Sequence, residues 1–247
     1  MNSTLNLDKH KKPLIIAHRG ASDIAPENTL KAFQMAIELE ADYIEFDVRC
    51  SADRELVIIH DNCTLRTTKT LKWINLMNLE KIKLLDAGEN ETIPTLSELI
   101  KCTKGKICYI CEIKVRGIID NVVKLLAKNN LLDSTILVSF KHDELLHIQN
   151  QYPNLKLGAI VPTAFGWLTN WFVKKQTITT AKRNQFYAIN PYHRIINRNY
   201  VRLAHNKNLK VFPWTVNSYK SINRVIKLKV DGILTDRVKM TKKILSS

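Results

Sequence analysis

From residue 107 onward the chain alternates short β-branched runs with amphipathic stretches, and this alternation limits its fold more than any other feature. Strands are expected at 107–114, 135–140, 156–161, 186–190, 211–216 and 232–235. Between them the apolar period predicts helices at 118–129, 141–151, 198–207 and 218–228, with a helical stretch around 168–181. Upstream, Pro13-Leu14-Ile15-Ile16-Ala17 is a buried-type strand ending at His18. Leu30, Phe33 and Ile37 then have helical spacing within a helix expected at 27–39, and a second strand follows at 42–48. Ser51-Ala52-Asp53-Arg54 is too short for a crossover helix, so strand 56–60 is expected to return antiparallel as a hairpin. Pro94 before Thr95-Leu96-Ser97-Glu98 marks another helix start. Without the hairpin return, about eight strands alternate with helices, the arithmetic of a barrel. The fold class is therefore α/β: a TIM-like (β/α)8 barrel with a small β-hairpin and loop insertion after strand 2. Residues 1–247 are expected to form a single barrel domain, with 1–12 as a polar leader. A doubly wound open sheet is the competing reading, but none of the seven glycines forms a G-x-G-x-x-G phosphate loop.

Several of these strands carry polar residues where a buried strand has no structural use for them. His18-Arg19 ends the first strand, and Gly20 turns the chain. Glu45 and Asp47 are two apart on the second strand, so both face one side, while Ile44, Phe46 and Val48 face the helices. The same parity puts Glu112 and Lys114 together on strand 107–114, and His60 ends the hairpin strand. Three converging carboxylates repel one another in a low dielectric. Spacing alone leaves two remedies: a hard divalent cation, Mg²⁺ or Ca²⁺, or buried salt bridges to Arg19 and Lys114. Two histidines beside such a cluster could act as acid and base, and Arg19 and Lys114 could neutralise a phosphate.

The residues His18-Arg19-Gly20, Pro26-Glu27-Asn28-Thr29, Glu45-Phe46-Asp47-Val48, His60-Asp61, Glu112-Ile113-Lys114, Trp214-Thr215-Val216-Asn217, Asp231-Gly232 and Thr235-Asp236 occur in that order along nearly the whole chain. In this ordered set the sequence resembles the glycerophosphodiester phosphodiesterases. The resemblance implies a phosphoric diester hydrolase of glycerol and lipid metabolism that releases sn-glycerol 3-phosphate and an alcohol. It implies His18 and His60 as catalytic residues and Glu45, Asp47 and Glu112 as ligands of one divalent cation. It also implies Trp214 as a wall for the glycerol, where packing alone would make it part of the barrel core. Glu27 is expected to open the first helix, in the favourable field of its dipole, with a hydrogen bond to the site as its alternative role. The chain departs from the family pattern at Arg54, which replaces a turn glycine, and at Leu65-Arg66-Thr67-Thr68, which lacks an aspartate. Asn208 stands where a glycine is usual, and asparagine tolerates the left-handed helix cap. Alternative activities are a lysophospholipase D, a phosphoinositide-type phosphodiesterase, and an inactive phosphate- or membrane-binding barrel.

Composition bears on the partners. The formal net charge of +15 favours anions, but the basic residues are scattered and match no nucleic-acid motif, so no nucleic-acid partner is expected. No apolar run approaches the ~18 residues of a membrane span, and the N-terminus lacks an apolar signal region, which predicts a cytoplasmic protein. Five cysteines in such a chain predict free thiols, and Cys108 and Cys111, three apart on a strand, point to opposite faces. His142, His147, His193 and His205 are read as lacking acidic neighbours and are given no role. Trp167 and Trp171, ahead of Lys174 and Lys175, share one helical face that packs on the barrel or, as the alternative, forms an apolar lip for a lysophospholipid or for transient membrane contact.

Overall fold

The computed structural model describes residues 12–161 and 171–246. In chain order the elements begin with β1 (Leu14–His18), α1 (Leu30–Glu38), β2 (Tyr43–Cys50) and β3 (Leu56–Ile58). The short helices α2 (Leu65–Thr68) and α3 (Leu79–Lys83) follow, then α4 (Leu96–Thr103), β4 (Cys108–Ile113), α5 (Ile119–Lys128) and β5 (Thr135–Ser139). The chain continues through α6 (His142–Gln149), β6 (Lys156–Ile160), α7 (Trp171–Arg183), β7 (Ala188–Asn190) and α8 (Arg198–His205). It ends with β8 (Lys210–Val211), α9 (Tyr219–Lys227), β9 (Gly232–Thr235) and α10 (Val238–Ser246).

The strands form one sheet in the order β8-β7-β6-β5-β4-β2-β1-β9, with β3 off this path against β2. All pairings along the path are parallel, and β3 pairs antiparallel, with Val48 opposite Ile58. The barrel and its hairpin are therefore as the sequence predicts. The seam between β8 and β9 is closed by irregular backbone bonds: Leu234 N–H donates to Pro213 O (3.1 Å) and Val216 N–H to Leu234 O (2.9 Å). Regular strand is lost there because Pro213 has no N–H to give to a ladder. The strand expected over 211–216 is thus only the two residues of β8, and Trp214 stands on the loop beyond it.

Alternation along the strands sorts the core into two shells. Leu14, Ile16, Tyr43, Ile110, Ile136, Ala188 and Phe212 fill the barrel interior, whereas Ile44, Phe46, Val48 and Tyr109 pack under the helices. Cys108 belongs to the inner shell and Cys111 to the outer, as their spacing predicts, and the described cysteines are free thiols. The insertion after β3 has its own small core of Val57, Ile59, Ile74, Met77, Ile82, Ala87 and Ile93. A capping box between Thr95 and Glu98 starts α4, as Pro94 signalled. Asn208 takes φ +58, confirming the left-handed cap, and Arg54 takes φ +68, so the hairpin turn keeps a glycine-like conformation without the glycine. No helix among the described residues is long and apolar enough to cross a membrane.

Helix α1 begins later than the period suggests. Asn28 lies at φ +58, which no helix accepts, and the Thr29 side chain caps the helix by accepting from the Ala32 N–H. Glu27 therefore sits in the loop before the helix rather than in its first turn. Gly20, at φ +84, lets that loop press on α1: a Cβ there would lie 2.7 Å from the Ala32 carbonyl carbon.

Candidate active site

The register of three adjacent strands builds the site. His18 on β1 is level with Glu45 on β2, and Asp47 is level with Glu112 on β4. All four follow inward-facing residues by even steps, so their side chains emerge at the C-terminal mouth of the barrel. One ligand oxygen from each of Glu45, Asp47 and Glu112 lies within 4.8 Å of the others. The three are only 2 %, 1 % and 9 % exposed. A cavity of about 140 Å³ opens over them, lined by His18, Arg19, Glu45, His60, Glu112 and Lys114 from one side and by Phe140, Asn190 and Trp214 from the other. The expected site residues are thus brought together, except that Asp47 lies beneath the lining.

The electrostatics are unbalanced. Lys114 Nζ bridges Glu112 (2.8 Å) and Asp47 (3.3 Å), and Arg19 Nε lies 3.5 Å from Asp47. Asn28 Nδ2 adds a hydrogen bond to Asp47 (2.8 Å). Burial opposes ionisation of Asp47, but Lys114, Arg19 and this amide together hold it well below the usual carboxylate range. Among the described residues, Glu45 accepts a hydrogen bond only from the Arg19 backbone N–H (3.0 Å), aimed by a left-handed φ of +58. Burial and the charges of Asp47 and Glu112 push Glu45 well above its ordinary value. Burial and Asp47 likewise push Glu112 up to about 7, against the pull of Lys114. Three carboxylates against two cations leave one formal negative charge without a partner. Of the two remedies that the spacing allowed, the salt bridges form, and they leave this charge unmatched.

Each histidine is fixed by an aspartate. His18 Nδ1 lies 2.6 Å from Asp236 Oδ1, and His60 Nδ1 lies 2.6 Å from Asp61 Oδ1. A carboxylate only accepts, so Nδ1–H donates in both rings and Nε2 is the nitrogen left for chemistry. Burial holds the His60 imidazole below its ordinary value. Asn217 Nδ2 also donates to Asp236. Asp236 lies just beyond β9, which pairs with β1, so the acid and His18 meet across adjacent strand ends.

Sequence reasoning passed over Arg66. Its guanidinium donates twice to Glu27 (2.6 and 2.7 Å) and once, through Nε, to Asp61 (2.6 Å). Glu27 also accepts from Arg19 Nη1 (2.8 Å). A continuous chain Arg19–Glu27–Arg66–Asp61–His60 therefore spans the site, and Glu27 is part of it rather than a helix-dipole residue. Asp61 and Asp236 stand in the motif set without a role, whereas nothing in Leu65-Arg66-Thr67-Thr68 announced a long-range contact. Trp214 Nε1 donates to Asn190 O (2.8 Å), and the ring packs edge-on to Phe140 at 6.0 Å. Of the other histidines, two do have acidic company: His205 Nε2 lies 2.8 Å from Asp231 and His147 Nε2 lies 3.2 Å from Asp120. Both pairs join elements distant in sequence, which spacing could not reveal. The lip containing Trp167 lies outside the described residues, as does the side chain of Trp171.

An eight-stranded barrel with buried acids and two His–Asp pairs at its C-terminal mouth has the layout of a TIM-barrel enzyme with acid–base groups at its site. The profile of the glycerophosphoryl diester phosphodiesterase family matches residues 18–240, and the chain belongs to that family of phosphoric diester hydrolases. It is 35 % identical over 239 residues to a glycerophosphodiester phosphodiesterase of Caldanaerobacter subterraneus subsp. tengcongensis, covering 91 % of this chain and 94 % of that one. The structure resembles an Oleispira antarctica phosphodiesterase in complex with the product sn-glycerol-3-phosphate, with TM-score 0.83, 25 % identity, and 96 % and 98 % of the two chains covered. It also resembles the Thermotoga maritima glycerophosphodiester phosphodiesterase, with TM-score 0.80, 25 % identity, and 95 % and 99 % covered.

Proposed function

We propose that this chain hydrolyses glycerophosphodiesters to sn-glycerol 3-phosphate and an alcohol, with a divalent cation held by Glu45, Asp47 and Glu112. The carrying observation is that one cavity is lined by both histidines, Arg19, Lys114, Glu45 and Glu112. The donor set fits the cation: three buried carboxylates within 4.8 Å, with too little positive charge around them. All-oxygen ligands suit Mg²⁺ or Ca²⁺ better than Zn²⁺. When bound, the cation supplies positive charge for the non-bridging phosphate oxygens. Arg19 adds a planar donor fork and Lys114 a compact charge on the same oxygens. His18 and His60, each with Nδ1–H held by an aspartate, present Nε2 to take the proton of the nucleophile, either water directly or a glycerol hydroxyl whose cyclic phosphate water then opens, and to return one to the leaving alkoxide. Trp214 and Phe140 wall the opposite side of the cavity.

A panel of glycerophospho-alcohols and lysophospholipids, assayed with and without chelator, tests this reading. We expect turnover that chelation abolishes and Mg²⁺ or Ca²⁺ restores. Full activity after exhaustive chelation defeats the metal assignment, and no turnover of any glycerophosphodiester defeats the function. Preference for the lysophospholipid members would extend the substrate class to lipid and bring the membrane surface in as its source. Glu112→Gln should weaken cation binding, measured by calorimetry, with the fold retained.

A further inference from the structure

Asn190 closes β7 at the barrel mouth and is 1 % exposed, yet among the described residues neither its side-chain Nδ2 nor its Oδ1 has a hydrogen-bond partner. Its carbonyl is fully used, since it accepts from both Val161 N–H (3.0 Å) and Trp214 Nε1 (2.8 Å). The residue lines the cavity that holds His18, His60 and Lys114, with its amide buried at the wall. A buried amide unpaired at both ends is costly, and packing gives no reason for it, because a leucine of similar size would fill the space without the cost. The neighbouring strand makes room for it. A Cβ at Gly158 on β6 would lie 3.0 Å from Asn190 Oδ1 and 3.0 Å from Val138 Cγ1. Gly158 has no left-handed φ to explain it. What its missing side chain provides is space for the amide.

We infer that the Asn190 carboxamide binds a hydroxyl of the substrate's glycerol moiety, an assignment that rests on the function proposed above. An amide with both its donor and its acceptor free matches a group that is itself donor and acceptor, which a hydroxyl is. A quaternary ammonium or a protonated amine on the leaving alcohol offers no such match. Glycerol is also the part of these substrates that does not vary, and it suits a fixed, buried reader. The leaving alcohol varies and has to depart to solvent. Asn190 is thus a specificity residue: it leaves the phosphate alone and distinguishes a polyol ester from a plain alkyl ester.

The test compares binding of sn-glycerol 3-phosphate and propyl phosphate to the Mg²⁺-loaded protein by calorimetry. Wild type should prefer glycerol 3-phosphate by at least about tenfold, since a site built for a hydroxyl rejects the analogue without it. Asn190→Leu should reduce that preference about tenfold, with propyl phosphate bound as before. Gly158→Ala, which crowds the amide rather than removing it, should act in the same direction and keeps the test open if the leucine variant fails to fold. A preference unchanged in either folded variant, or equal weakening of both ligands, overturns the assignment. If wild type hydrolyses no glycerophosphodiester, the function beneath fails and this assignment goes with it. Turnover with an unaltered preference in the variants removes Asn190 alone.

Discussion

His18 and His60 are held alike, each with Nδ1 2.6 Å from an aspartate, and this symmetry sets the expectation for their variants. His18→Ala and His60→Ala should each lower kcat on a natural diester by roughly 10²–10⁴, the usual contribution of a general acid or base. A p-nitrophenyl ester, whose leaving group needs little protonation, should partly rescue the variant that lacks the acid. Rescue of neither, or near wild-type turnover by either on a natural diester, refutes the pair. The carboxylates give a pH prediction whose sign follows from Glu112, raised to about 7 by burial and Asp47. Below that value the metal-free protein holds a proton there, and a cation has to displace it. Cation affinity should therefore fall as pH falls through 7, by up to tenfold per unit for one proton released. The rise in Tm produced by Mg²⁺ should accordingly be larger at about pH 8 than at about pH 6. Equal rises at both would mean that Glu112 is already ionised in the metal-free protein.

Elements carry these residues, and they were not equally legible. The parity of β2 and β4 let the sequence predict which acids converge, because a strand has only two faces. The hairpin followed from a linker too short to cross over. Contacts between loops had no such rule. The α2 helix is four residues long and has no apolar period, so Arg66 could not be placed in advance. Yet Arg66 ties the insertion to the barrel, binding Glu27 before α1 and Asp61 after β3. By fixing Asp61 it fixes the His60 ring. Arg66→Ala should lower kcat about tenfold through misplacement of that ring, with little change in Tm because the residue is half exposed. Arg66→Lys should not restore the rate, since a single ammonium cannot serve both carboxylates with the same geometry. Full recovery by lysine would reduce the role to charge alone. The start of α1 and the loss of strand at Pro213 were missed for local reasons. A left-handed asparagine and a proline each override a hydrophobic pattern that runs on past them.

The whole molecule adds a field to this geometry. Its formal net charge is +15, and Arg19 and Lys114 place part of that charge at the mouth of the barrel. Such a field concentrates anions and does little for molecules without net charge. Glycerophosphocholine is a zwitterion, whereas glycerophosphoglycerol keeps the full phosphate charge. Both present the same glycerol phosphate to the site, so the chemical step should be alike. Raising salt from about 0.01 M to about 1 M shortens the screening length from about 30 Å to about 3 Å. Over that range kcat/KM for glycerophosphoglycerol should fall by roughly tenfold and kcat should hold, while glycerophosphocholine changes little. A parallel fall for both substrates would place the salt effect on the cation site or on the fold, and would leave the excess charge with no part in substrate capture.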